Sequence, residues 1–197
     1  MYTQSSIRSG DVIENPVTGE RLTFVRAAAD TDGEYVLVEA ELRPDAAVAA
    51  AHIHPFQTEA FEVLAGRVEF TYGREKIVAG PGESVTVEPG RRHRFANAGE
   101  GIARFRTEVR PALGFERFIQ TMYGLAADGK TSKKGLPNPL RLAVIANAHF
   151  DDVRLPYVPA PLQKAALLAG AAAGRVLGYE PTYVPERAIG EPAAAPA

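Results

Sequence analysis

Three histidines and one glutamate are spaced along the chain so that they can bind one metal ion. His52 and His54 are two residues apart, and Glu59 follows a bend at residues 55–58. The fourth member, His93, comes after a further strand and turn. Residues two apart on an extended strand face the same side, so His52 and His54 can share one ion. Imidazoles with a carboxylate suit a divalent transition metal, which predicts one ion of iron, manganese, nickel, cobalt or zinc.

These residues lie within a region of short β-like runs, separated by turns rich in glycine and proline. The runs are Tyr35 to Leu42, Ala49 to His54, Ala60 to Leu64, Val68 to Tyr72, Glu75 to Val78, Ser84 to Val87, His93 to Asn97 and Ile102 to Val109. Strands at such short spacing are typical of an all-β sandwich or barrel. The sequence shows no internal repeat, which indicates one barrel.

Two motifs in this region resemble those of the cupin family. The first is His52-x-His54-x4-Glu59-x6-Gly66, and the second is Gly82-x7-Gly90-x2-His93-x3-Asn97. Both contain all of their metal positions. Two departures fall in turns: Ala46 replaces the glycine that usually opens the first motif, and the proline of the second is Pro89, one place late. The resemblance covers roughly residues 35 to 110, the length of one small barrel.

The resemblance implies an all-β fold, a cupin β-barrel or jelly roll, with His52, His54, Glu59 and His93 as metal ligands. Four protein ligands on a six-coordinate ion leave two positions for a bidentate substrate, or for a substrate with dioxygen. The expected function is a metal-dependent enzyme on a small organic substrate, a dioxygenase-type oxidoreductase, with Glu59 also a candidate general base. Isomerase or cyclase chemistry by Lewis acidity and a non-catalytic small-molecule-binding cupin are the alternatives.

Composition divides the chain into four segments: an N-terminal arm at 1–34, the barrel at 35–110, a helical extension at 111–190 and a disordered tail at 191–197. The arm contains a turn before Leu22-Thr23-Phe24-Val25, which predicts a strand or hairpin at the barrel edge. The extension contains three predicted helices, near residues 115–123, 140–150 and 161–177. They are expected either to cap the barrel mouth or to form a homodimer interface through four leucines, Leu162, Leu167, Leu168 and Leu177.

Apolar residues that share strand parity with the ligands are candidates for the substrate pocket. They are Phe61, Val63, Val87 and Phe95. Glu62 is expected on the outer face, because it alternates with Phe61 and Val63. Two further residues are expected to have structural roles. Asn97 should form hydrogen bonds within a turn. His149 should cap the end of a helix on an exposed face, with a catalytic role as the alternative.

Other polar side chains of the barrel are expected to face solvent. Arg104 and Arg106 alternate with Phe105, so their side chains are expected on the outer face. The basic run at residues 91–94 indicates a solvated turn, with an anion-steering rim as the alternative.

Charge and composition exclude several classes of partner. The 197 residues contain 22 basic and 24 acidic side chains, for a net charge of −2, and no basic stripe interleaved with aromatics indicates nucleic-acid binding. The longest uncharged apolar run, residues 165–174, is too short to span a membrane. The N-terminus lacks the apolar stretch of a secretory signal, so a cytoplasmic location is expected. A small molecule and a second subunit remain the expected partners.

Overall fold

The computed structural model describes residues 5–44, 46 and 50–185. Within these ranges, nine strands form two antiparallel sheets. The strands are β1 (Val12–Asn15), β2 (Glu20–Arg26), β3 (Val36–Leu42), β4 (Thr58–Ala65), β5 (Val68–Tyr72), β6 (Glu75–Ala79), β7 (Ser84–Val87), β8 (His93–Asn97) and β9 (Ala103–Arg110). The antiparallel sheets expected of a jelly roll are therefore present.

The larger sheet has six strands in the order β1-β2-β3-β9-β4-β7. Its strands alternate buried and partly exposed residues, as in β3 and β9, so one face forms the core and the other faces outward. The expected hairpin of the N-terminal arm is present, because β1 pairs with β2 and β2 extends the sheet at β3. The arm is thus an integral part of the larger sheet.

The smaller sheet has three strands in the order β6-β5-β8, and it supplies the second wall of the core. Val68 and Phe70 of β5 are buried in this core. The two sheets share no strand among the described residues, so the structure is an open jelly roll and not a closed barrel.

One strand expected in the sequence does not form. Residues 50–54 make only isolated bridges, His52 with His93 and Ile53 with Arg154, and Ala49 lies outside the described residues. The segment is held by a few backbone hydrogen bonds to two different neighbours, which is too little for a continuous ladder.

Three helices follow the strands: α1 (Phe115–Ala127), α2 (Pro139–Ala148) and α3 (Ala160–Val176). Proline lies in the first turn of α2 and of α3, where its missing N–H costs no hydrogen bond. Asn138 caps α2 by accepting a hydrogen bond from the Leu140 N–H. These boundaries agree with the predicted helices to within a few residues. The predicted tail at 191–197 lies outside the described residues.

The helices differ in how they contact the sheets. Phe115 and Tyr123 of α1 are buried as part of the main core. Helices α2 and α3 pack against each other, with Val144 and Ala171 fully buried between them, while most of α3 faces outward. Among the helices of the described residues, none is both long and apolar enough to cross a membrane.

Gly66 ends the first motif at the turn between β4 and β5, and the structure explains why a glycine is needed there. Its φ is 73°, a left-handed conformation that other residues rarely adopt. A Cβ at this position would lie 2.8 Å from the Cα of Ala103. The glycine therefore allows the turn to approach the start of β9 closely.

Candidate metal centre

Two of the four candidate ligands lie on the segment that precedes β4. His52 exchanges two backbone hydrogen bonds of 3.0 Å with His93, the first residue of β8. The carbonyl of His54 accepts a hydrogen bond of 2.8 Å from the Gly90 N–H, in the turn before β8. These bonds bring the two motifs together, although they are about 40 residues apart in the chain.

Glu59 reaches the same place from the larger sheet. It pairs with Val109 on one side and with Val87 on the other, and it is buried on the inner face of β4. Glu62, three residues later, is exposed on the outer face as its parity predicts. The structure therefore selects Glu59 as the carboxylate that faces the histidines.

The four side chains converge on one point. One ligand atom from each of His52, His54, Glu59 and His93 lies within 4.8 Å of the others. Glu59 Oε2 is 2.7 Å from His93 Nε2 and 3.6 Å from His54 Nε2. Neighbouring ligands of one ion at metal–ligand distances near 2.1 Å are about 3 Å apart. The spacing of these atoms is therefore that of a single ion's ligands.

The hydrogen bonds of the three imidazoles orient them toward the same point. In each ring Nδ1 faces a backbone carbonyl: Ala50 O at 3.0 Å for His52, Asp152 O at 2.6 Å for His54 and Arg91 O at 3.1 Å for His93. A carbonyl only accepts, so Nδ1 carries the hydrogen and Nε2 keeps its lone pair. A metal ligand held by its other ring nitrogen is the usual arrangement in proteins.

Two buried atoms of the cluster have no hydrogen-bond partner within the described residues. They are Glu59 Oε2 and His93 Nε2, which face each other. With the proton of His93 on Nδ1, both atoms present lone pairs, which a metal ion bound by both would satisfy. The residues present therefore fit a divalent ion bound by three nitrogens and one oxygen.

The charges within the cluster support the same interpretation. Burial raises the pKa of Glu59, but interactions with the His54 and His93 rings outweigh it and lower the pKa to about 2. Burial and the neighbouring imidazoles lower the pKa of His52 to about 3. The pKa of His93 is raised, because contact with Glu59 outweighs the opposing effect of burial. The cluster is built to keep one carboxylate ionised next to a cation.

All four residues expected to line the pocket are buried on the inner faces, at different distances from the ligands. Val87 is the cross-strand partner of Glu59 and lies in the same layer. Phe61 and Phe95 lie one layer further in, where their rings pack with those of Phe70 and Phe105 at centroid distances of 5.0 to 6.3 Å. Their part in substrate binding remains a prediction.

Other residues of the two motifs and of β9 lie where the sequence predicts. Asn97 has the expected structural role, donating to the carbonyls of Leu42 and Gly101 and accepting from the Gly99 N–H. Arg104 and Arg106 lie on the outer face of β9, as expected. Ala46, in place of the motif glycine, still accepts a hydrogen bond of 3.0 Å from the Asn97 N–H.

The exposed position expected for His149 is wrong. The residue does follow the last turn of α2, but it is 2% exposed and its Nδ1 lies 2.6 Å from Asp152 Oδ2. Its ring also contacts Phe118 of α1, at a centroid distance of 5.5 Å. The side chain is buried because α1 and the segment after α2 enclose it, which a helix-end pattern does not reveal.

Glu20 is a second buried acid, which the sequence pattern did not reveal. Glu20 begins β2, on the same inner face as Leu22 and Phe24, and it forms a hydrogen bond with Tyr123 of α1. Burial raises the pKa of Glu20 to about 7, against the lowering effect of the Tyr123 hydroxyl. The alternation of Glu20 with Leu22 and Phe24 was the available signal, and the adjoining turn obscured it.

Comparison with known proteins identifies the region that contains this site. Residues 38–109 match the family model described as the Cupin domain. No curated protein matches the chain in sequence. The match begins in β3 and ends in β9, so it includes all four candidate ligands and leaves out the helices.

Solved structures with similar folds include proteins of different activities. A predicted oxalate decarboxylase from Thermotoga maritima is 18% identical, with 56% of this chain and 99% of that chain covered and a TM-score of 0.47. The polyketide cyclase RemF from Streptomyces resistomycificus is 21% identical, with 56% of this chain and 80% of that chain covered and a TM-score of 0.45. KdgF from Halomonas sp. is 18% identical, with 51% of this chain and 87% of that chain covered and a TM-score of 0.45.

These similarities are too low to transfer any of those activities to this chain. The matched residues, the two motifs and the antiparallel sheets instead agree on one assignment. Residues 38–109 are therefore a cupin domain.

Proposed function

We propose that this protein is a metal-dependent enzyme that acts on a small organic molecule, and that the reaction is a dioxygenation. The observation that carries the proposal is the convergence of His52, His54, Glu59 and His93, with Nδ1 of each histidine hydrogen-bonded behind it. A divalent ion held by these residues would supply Lewis acidity to a bound substrate and, if redox-active, would pass electrons from the substrate to dioxygen.

The protein residues around the ligands would bind and orient the substrate. Val87 and Val109, the two strand partners of Glu59, give the ligand layer apolar walls, which favour an organic molecule over a highly charged one. Glu59 is the one carboxylate among the ligands. A proton removed from the substrate in this layer would therefore be accepted at its carboxylate oxygen.

The first test is metal content of protein purified without chelator or affinity metal, followed by oxygen uptake with candidate substrates. Near-stoichiometric iron, nickel or manganese that is lost in a His52→Ala, His93→Ala double variant, together with oxygen uptake, would support the proposal. Conversion of substrate without oxygen uptake would favour isomerase or cyclase chemistry by the same ligands. Protein that takes up no metal would leave a cupin that only binds small molecules.

We also propose that the protein forms a homodimer through α3. Leu162, Leu168 and Leu177 are 53% to 65% exposed, and Val176 is 87% exposed, so the helix presents apolar side chains outward. Leu167 is more buried than these leucines, which makes it the weakest member of the predicted interface. Light scattering coupled to size exclusion should give twice the monomer mass, and Leu168→Glu should shift the protein toward monomer. A monomeric wild type at high concentration would contradict the proposal.

A further inference from the structure

One metal-site histidine is oriented by residues from outside the cupin motifs. The Nδ1 atoms of His52 and His93 face carbonyls two residues away in the chain. In contrast, Nδ1 of His54 lies 2.6 Å from the carbonyl of Asp152, which is 98 residues away. The helical extension therefore supplies the group that fixes this ring.

A second acceptor helps to fix His54. Gln57 Oε1 lies 3.1 Å from His54 Nδ1, and the Gln57 side chain is 1% exposed. Its amide nitrogen donates to the carbonyls of Pro111 and Ala112, each at 3.0 Å, so its oxygen has to face the imidazole. Two acceptors on one side of the ring require Nδ1–H and leave Nε2 free to face Glu59.

Asp152 is itself held rigidly by its own side chain. Its Oδ1 accepts a hydrogen bond of 3.0 Å from the Gly114 N–H, and its Oδ2 lies 2.6 Å from His149 Nδ1. Asp152 and His149 are both nearly fully buried. A Cβ at Gly114 would overlap Asp152 Oδ2, so the loop before α1 needs a glycine at this position.

Backbone pairing joins the two segments directly. Ile53, between the two histidines, exchanges hydrogen bonds of 3.0 and 2.9 Å with Arg154. This isolated bridge holds residues 152–154 beside residues 52–54, which keeps the carbonyl of Asp152 close to the His54 ring.

We propose that Asp152 and His149 are positioning residues of the metal site. The His149–Asp152 pair fixes the carbonyl that selects the Nδ1–H form of His54 and directs its Nε2 to the ion. The inference rests on the proposed metal-dependent function, and it assigns to the helical extension a role in metal affinity, which the cupin match at residues 38–109 does not include.

The test is zinc affinity, measured by competition with a chromophoric chelator, in variants that leave all four ligands intact. Asp152→Asn and His149→Leu should weaken zinc binding by about 10-fold, the lower end of the effect of removing a partner of a metal ligand, because both variants keep the Asp152 carbonyl and only loosen its hold. Asp151→Asn is the matched control, because Asp151 is exposed and, among the described residues, its carboxylate pairs with the Arg154 side chain and not with His149 or Asp152. Its zinc affinity should be unchanged.

A conservative variant separates positioning from simple packing. The amide nitrogen of asparagine can take the place of histidine Nδ1, so His149→Asn should restore most of the affinity that His149→Leu loses. Folded Asp152→Asn and His149→Leu proteins with wild-type zinc affinity would overturn the proposal, even if their melting temperatures fall. Equal loss in His149→Asn and His149→Leu would also overturn it.

A measurement on the metal-free wild type covers the case in which the variants do not fold. Nitrogen-15 NMR of the imidazole rings should show His54 with hydrogen on Nδ1 and none on Nε2. The opposite tautomer would overturn the inference. If the wild type binds no zinc, iron, manganese, nickel or cobalt, the proposed function fails, and the tautomer of His54 still decides whether the extension orients this ring.

Discussion

Glu59 and Glu20 are two buried carboxylates on the same face of the same sheet, and their pKa values are shifted in opposite directions. Glu59 is surrounded by imidazoles and has a pKa lowered to about 2, whereas Glu20 faces a tyrosine hydroxyl and has a pKa raised to about 7. At neutral pH the first is an anion and the second is close to half protonated. Burial raises the pKa of both, so the difference comes from the neighbours: the three imidazoles around Glu59 outweigh desolvation, and the one tyrosine hydroxyl beside Glu20 does not.

The strongest test of this contrast is Glu59→Gln. We expect metal affinity to fall by more than roughly 100-fold, because removal of a ligand should exceed the effect of losing a partner of a ligand. Metal content and calorimetric titration would measure the change. Glu62→Gln, on the outer face of the same strand, is the control and should bind metal normally. Normal metal binding by Glu59→Gln would show that the carboxylate is not a ligand.

Glu20 should instead affect the pH dependence of stability. Its folded pKa lies above its unfolded value of 4.5, so its contribution to stability is fully present below pH 4.5 and is lost as pH rises through 7. Between pH 5 and pH 7.5, we expect the metal-free wild type to lose about 2 kcal/mol through this group. Urea unfolding of Glu20→Gln should lack that loss. Equal pH slopes in the two proteins would contradict the raised pKa.

Tyr123→Phe tests the one interaction that stabilises the ionised form of Glu20. Removal of the hydroxyl should raise the pKa of Glu20 above that in the wild type, since burial then acts unopposed by a hydrogen bond. At pH 8 the variant should be less stable by roughly 1.5 kcal/mol, the usual value of a hydrogen bond to a charged group. Carbon-13 NMR of the Glu20 carboxyl would follow the titration directly. An unchanged or lower pKa would exclude the hydroxyl as its partner.

The smallest expected effect is at Thr107, an uncharged polar residue on the same face of the sheet. Its hydroxyl is buried, and the described residues provide it with no hydrogen-bond partner. Thr107→Val should stabilise the metal-free protein by about 1 kcal/mol, because the substitution removes an unsatisfied group of similar shape. Chemical denaturation would measure the gain. Destabilisation would indicate that a bound water or ligand satisfies the hydroxyl.

The sequence predicted the inward orientation of Glu59 but not that of Glu20. Glu59 lies within a motif whose spacing has a direct geometric meaning, and the alternation along β4 correctly separated it from Glu62. Glu20 lies next to a turn, where an acidic residue is usually solvated, so its inward orientation depends on pairing with β3. The state of each carboxylate then depends on neighbours from other elements.

The helical extension shows the same limit for the metal site. Periodicity located α1, α2 and α3 to within a few residues, because amphipathic spacing and proline are local signals. The burial of His149 and the contact between Asp152 and His54 depend on how the extension packs against the strands. Tertiary packing of this kind leaves no spacing that a single sequence can reveal.

The pairing of Ile53 with Arg154 also has a consequence for synthesis of the protein. Contacts between residues far apart in sequence form late, because the intervening chain has to be ordered first. During translation, every cupin motif residue is made before residues 149–154. At about 5 to 20 residues per second, the 59 residues from His93 to Asp152 (152 − 93) take roughly 3 to 12 seconds, so for that time the nascent chain has all four ligands without the carbonyl that orients His54.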